Sequence, residues 1–310
     1  MAEVDLYLVR FAQYLGLAML FSLPLLQPRE RKTGRGRLTL SYAPSWLLTR
    51  RILGTVCGLM IAVGIFDLGL KVAVILGISM SEIDVESIRW FLLGSLAGNG
   101  WLLRMASLVV LALVLWNGAE GRRTRLSAAL LGATALATLA VNGHAASSEG
   151  VEGVIRLAVG VIHLLAAAAW LGAILGFLLA LRAVWPRRHE IQTLEELRRS
   201  LEAFSSTGTL LVAILATTGV VHYIWILDWP LPDASLWAAP YNRWLLLKLV
   251  LFAGMLGLAA RHRWLIIPKL SDSKSSDVVS KLRQSLWAEA FLAALIIGAV
   301  AILGTMSPTA

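Results

Sequence analysis

Apolar runs, each about as long as a helix needs to cross a hydrocarbon bilayer, recur along the whole of this chain. A stretch such as "LAVGVIHLLAAAAWLGAILGFLLAL" at 157–181 dictates much of what can form around it. In lipid every backbone N–H and C=O must be satisfied internally, and a run of this length manages that as a helix. The alternative, burial inside a soluble core, needs polar residues to coat the outside. The 310 residues include only 15% charged side chains against 58% hydrophobic, where a soluble domain carries about 25% charged. The chain therefore reads as an all-α polytopic membrane protein, a single integral membrane domain over 1–310.

Eight spans are expected, at 4–26, 47–77, 98–117, 126–144, 154–182, 204–228, 243–266 and 284–306. The first carries Glu3 and Asp5 where a signal peptide would be basic, so it reads as a retained span. The connecting loops alternate in kind. "QPRERKTGRGRLTLSYAPSWLLTRR", "EGRRTR", the Arg-rich 182–199 and the segment 261–283 are basic, whereas "SEIDVES", "HAASSEGVEG" and "DWPLPDAS" are acidic. The positive-inside rule then assigns all seven loops consistently: basic loops cytoplasmic, acidic loops external, both termini periplasmic. The formal charge of +9 thus anchors topology against membrane lipid, and no nucleic acid partner is expected. Residues 187–202 read as an amphipathic helix at the inner surface. Trp225, Trp229, Trp237 and Trp244 form an aromatic belt at the outer one.

A weak internal repeat accompanies this topology. "GIFD" (64–67) in span two matches "GVVH" (219–222) in span six; Arg104 pairs with Lys248, Gln13 with His163, and Ser22 with Gly172. Four spans per half imply a 4+4 parallel repeat about an axis along the membrane normal, with halves 1–144 and 150–310.

Charges and imidazoles inside spans are costly and mark packing contacts or function. His163 lies ~9–10 Å into span five, and His222 ~9 Å from the outer end of span six. His144 closes span four at the same face. These three, with Met105 and Glu149 as weaker candidates, form an expected metal site. Imidazole suits copper, zinc, iron or nickel, and thioether shifts the preference toward Cu(I). Asn142, Thr217 and Thr218 are candidates to hold an imidazole by its second nitrogen. His189 and His262 sit among arginines and read as solvated. Asp67 and Lys71 are spaced to pair with each other, and Arg156 shares a face with His163. Glu289 reads as holding Arg283 or a neighbouring helix, with release of an ion as the other option. "GAILG" (172–176) has the spacing of close helix packing. Cys57, alone in an apolar run, reads as buried filler. No nucleotide-binding loop, zinc-protease motif or Ser–His–Asp arrangement is present, so no enzyme activity is expected.

Several segments resemble the CopD/PcoD copper-resistance membrane proteins. "HLLAAAAWLG" (163–172) matches that family's His-x₆-Trp-Leu-Gly signature. "NGHA" ending span four, "KLVLFAGMLGLAARHRW" in span seven and "SLWAEAFLAALIIGAVAILGTMSP" in span eight, with Glu289 and Pro308 in place, resemble it too. The resemblance implies an eight-span protein of the bacterial inner membrane. It implies passage of copper from periplasm to cytoplasm, beside a periplasmic CopC-type copper-binding partner. The family pattern often places a histidine near Gln13, so a ligand is missing from the first half and the second half carries the site. A haem-binding electron-transfer protein, using the same histidines, and a non-transporting scaffold for a periplasmic copper protein are the alternatives.

Overall fold

The computed structural model describes residues 2–26, 46–118, 120–142, 150–187, 190–227, 239–271 and 275–306. Nine α-helices occur among them: α1 (Ala2–Ser22), α2 (Trp46–Leu76), α3 (Val85–Gly94), α4 (Leu96–Trp116), α5 (Arg122–Ala137), α6 (Gly150–Val184), α7 (Ile191–Leu227), α8 (Pro240–Arg261) and α9 (Ser275–Leu303). All but α3 belong to segments long and apolar enough to span a bilayer, eight in number. The distribution of side chains is that of a membrane protein. Leu8, Ile65, Leu93, Leu130, Val154 and Phe291 are exposed, while Gln13, Asp67, Arg104 and Glu289 are buried. Polar groups that lipid would penalise turn into the bundle.

Two local features depart from the sequence reading. The acidic connection after α2 holds α3, a short helix started by the Asp84 carboxylate, which accepts from the Ser87 N–H at 2.8 Å. Ser95 then links α3 to α4: its hydroxyl donates to the Phe91 carbonyl (2.7 Å) and accepts from the Gly98 N–H (2.9 Å). The second departure concerns the expected surface helix at 187–202. From Ile191 onward it is the first part of α7, continuous with the span that follows. Its apolar residues Leu194, Leu197 and Leu201 are buried in a second core with Phe177, Leu181, Leu270, Leu282 and Leu286. Packing, not a membrane surface, takes up that apolar face.

The first half is a closed ring in which α1 packs on α2 and α5, α2 on α4, and α4 on α5. Small residues allow the close approaches, as is usual between membrane helices. A Cβ on Gly132 of α5 would lie 2.6 Å from the Leu20 backbone of α1. The second half repeats three of these pairings: α6 on α7, α6 on α9 and α8 on α9. The fourth is nearly missing, because α7 and α8 scarcely approach one another. Instead α7 packs against the turn Ile267–Ser271 beyond α8. Among the described residues the second ring is therefore closed by that turn and not by a packed α7–α8 pair.

Between halves, α1 packs on α6, α1 on α9 and α5 on α6. The α1–α6 crossing brings Ser22 against Gly172, where an added Cβ would run into the Ser22 side chain. Positions paired by the weak repeat thus touch each other at the crossing between halves.

Candidate metal centre

Helices α6 and α7 bring His163 and His222 together. Their ring centroids are 5.7 Å apart with an interplanar angle of 89°, and both side chains are half-buried. The environment of His163 defines its proton. Thr218 is one helical turn before His222, and its hydroxyl donates to the Ile214 carbonyl at 2.6 Å. That hydroxyl has a single proton, so toward His163 Nδ1, at 2.7 Å, it can only accept. The network assigns the hydrogen of His163 to Nδ1 and leaves the lone pair on Nε2. This is the arrangement metal-binding histidines require: one nitrogen held by the protein and the other free to donate.

The surroundings extend from this pair. His222 lies edge-on to Trp225 at 6.3 Å, and the Arg156 guanidinium sits 5.5 Å from the same indole. Arg156 is in turn paired with Glu152 at 2.5 Å, so an aromatic ring, an arginine and a carboxylate follow one another outward from His222. Lys248 of α8, half-buried, lies within electrostatic reach of both rings.

The corresponding positions of the first half also converge, with different chemistry. Arg104 of α4 donates to Gln13 Oε1 of α1 at 3.0 Å. It lies 3.8 Å from Asp67 of α2, whose same oxygen takes Lys71 at 2.8 Å. Asp67 and Arg104 are essentially inaccessible, at 0% and 1% exposure. Trp101 donates to the Gly64 carbonyl at 2.7 Å and ties α4 to α2 one turn away.

Of the other residues singled out in the sequence, Met105 packs its thioether on Gly64 of α2 in the first half. His144 and Glu149 lie outside the described residues. Thr217 is exposed, unlike its neighbour Thr218. Cys57 is buried, with its thiol on the Leu108 carbonyl at 3.2 Å. Among the described residues no group of three or more His, Cys, Asp or Glu side chains is gathered for a metal; the centre there is a pair of imidazoles.

One reading needs correction. His262 is not solvated: it is 8% exposed and sits 3.2 Å from the Glu289 carboxylate of α9. Glu289 accordingly holds a neighbouring helix through His262, while Arg283 lies over the Trp185 ring at 3.9 Å. The arginines at 261 and 263 hid this, because both are exposed while the residue between them turns inward.

Comparison with known proteins agrees with the resemblance in the sequence. A family model described as "Copper resistance protein D-like, N-terminal domain" matches residues 1–154, and one described as "Copper resistance protein D" matches 198–303. Copper resistance protein D of Pseudomonas syringae pv. tomato is 33% identical over 97% of this chain and 96% of its own length. Inner membrane protein YebZ of Escherichia coli K12 is 28% identical over 55% of each chain. No solved structure matches.

Proposed function

Because the chain belongs to the copper resistance protein D family and is a multi-pass inner-membrane protein, we propose that it takes copper from the periplasm through the His163–His222 pair. The observation carrying this reading is the Thr218 network, which frees His163 Nε2 next to a second imidazole. With a metal–imidazole bond of about 2 Å, two rings gripping one ion sit roughly 5–6 Å apart centre to centre, and the observed separation falls in that range. The Coulomb field of Lys248 opposes a bound cation, which keeps such a site exchangeable, as passage demands.

The periplasmic placement rests on the alternation of basic and acidic loops. With basic loops inside, the end of α7 carrying His222 and the first turns of α6 face outward. Glu152, Arg156 and Trp225 then line the approach from a periplasmic copper-binding partner of the CopC type. His144 and Glu149, in the connection between α5 and α6, would complete the entry. The same topology treats 1–144 and 150–310 as two halves of one repeat, with the metal chemistry kept in the second.

Copper content and absorption of the purified protein test the site. Wild type is expected to hold one copper at this pair that His163→Ala and His222→Ala each lose, with no Soret band; a Soret band with no copper would establish the haem alternative instead. Uptake of copper into sealed vesicles tests direction. Equal uptake by wild type and His163→Ala would remove the entry role, and no uptake by wild type would favour a scaffold.

A further inference from the structure

His262 lies at the far end of the second half from the His163–His222 pair. The stretch from Lys248 to His262 along α8 rises ~21 Å at about 1.5 Å per residue. Met255, buried midway, shares the face of both by its seven-residue spacing. At His262 the helix loosens into a π-turn over His262–Ile266, closed by the Ile267 N–H on the His262 carbonyl. Such turns concentrate at functional sites because the extra residue re-aims side chains. Here it sends the imidazole inward between two exposed arginines.

What it meets there is polar and incompletely satisfied. His262 Nδ1 is 3.2 Å from Glu289 Oε1, in an alignment too bent for a full hydrogen bond. Among the described residues His262 Nε2 has no partner, and neither has the hydroxyl of Ser285, one turn from Glu289 on α9. His262, Ser285 and Glu289 are 8%, 3% and 3% exposed. Leaving such atoms buried and unpaired is costly, so their gathering on two packed helices asks for a ligand. A carboxylate against one imidazole nitrogen, with the other nitrogen free, is the usual support of a metal-bound histidine.

We propose that His262, oriented by Glu289, binds a second copper ion through Nε2 at the membrane end opposite the His163–His222 pair. The choice of copper rests on the reading of the outer pair and the family; the donor set itself suits a borderline transition-metal cation. One imidazole, a hydroxyl and two flanking arginines make a weak, exchangeable site, suited to release.

The test uses Cu(II) as the probe, titrated into the full-length protein in detergent and followed by electron paramagnetic resonance. In a His163→Ala/His222→Ala background, one copper with single-nitrogen coupling is expected, and it should vanish when His262→Ala is added. Identical titrations with and without His262→Ala would overturn the site. Glu289→Gln in the same background should weaken binding about 10–100-fold; unchanged affinity would overturn the orienting role of Glu289. Comparing wild type with the double background reports on the outer pair separately, so either site can fail without the other. Size-exclusion profiles matching wild type identify the variants that have folded.

Discussion

The two halves of this protein place side chains at corresponding positions and use them in opposite ways. In the first, Gln13, Asp67 and Arg104 meet inside a closed ring, and Lys71 adds a second cation to the same carboxylate. In the second, His163 and His222 meet where α7 and α8 make few close contacts, and Lys248 lies within electrostatic reach of both rings. The first half supplies its own cations and so has no vacancy for another. On the reading proposed above, the second presents two imidazoles and one cation, an arrangement that would fill and empty. If the two halves are copies of one repeat, as proposed above, one has become scaffold while the other keeps the chemistry: an ion pair replaces lone pairs and the ring closes around it.

The sharpest way to break this comparison is to remove one member of the first-half pair. Asp67→Ala leaves Arg104 buried without its counter-charge, and Arg104→Ala leaves the buried Asp67 with Lys71 alone. Each should cost about 3–5 kcal/mol, seen as loss of the monodisperse species on heating in detergent. Asp67→Leu/Arg104→Met, which removes both charges, should recover much of that loss. Equal behaviour of single and double variants would mean that the cluster does more than hold helices together. The contact of α1 with α5 comes next. Gly132→Ala puts a methyl 2.6 Å from the Leu20 backbone, which cannot swing aside as a side chain can. It should destabilise by about 1–3 kcal/mol. At the Ser22–Gly172 crossing the obstacle is a side chain, so Gly172→Ala should be rescued by Ser22→Gly.

Much of this was legible in the sequence because bilayer thickness dictates helix length and lipid punishes misplaced charge. The eight spans could be read from those two facts. The pairing of Gln13 with His163, and of Arg104 with Lys248, could be read from short matches, and the positions paired in this way do gather in each half. What escaped was whatever depended on local geometry finer than a span. The ten residues of α3 are too short to show a reliable apolar period. The start of α7 is polar enough to look like a surface helix, yet its leucines find a core built from distant α6 and α9. His262 was misjudged because its neighbours are arginines, and only the π-turn reveals that one residue among three points inward. The gap between α7 and α8 leaves no trace in composition at all.

In the second half, Thr218 offers a prediction that concerns binding more than stability. Thr218→Val keeps the shape and removes the oxygen that accepts the His163 Nδ1 hydrogen. The ring is then free to change tautomer and rotate. Copper affinity should fall about 10–100-fold, while thermal stability changes little. Thr218→Ser should restore binding, since its hydroxyl can reach the same carbonyl and the same ring. A valine variant that binds copper as wild type does would show that the hydroxyl serves helix packing alone.

Lys248 supplies the smallest effect and the most direct contrast with Arg104. Both are cations at corresponding positions, but Arg104 is locked to a carboxylate while Lys248 acts on two imidazoles. Removing Arg104 should destabilise the first half; Lys248→Met should leave stability near wild type. Its consequence is electrostatic. A positive charge on the order of 10 Å from a bound cation opposes it by on the order of 1–2 kcal/mol at an effective dielectric of about 20. Copper should therefore bind Lys248→Met on the order of tenfold more tightly, and leave it more slowly. Competition with a chelator of known affinity measures the first, and stopped-flow removal by excess chelator the second. If the lysine instead holds the pair in place, the variant will bind copper more weakly, and the contrast between a locked cation and a repelling one would have to be redrawn.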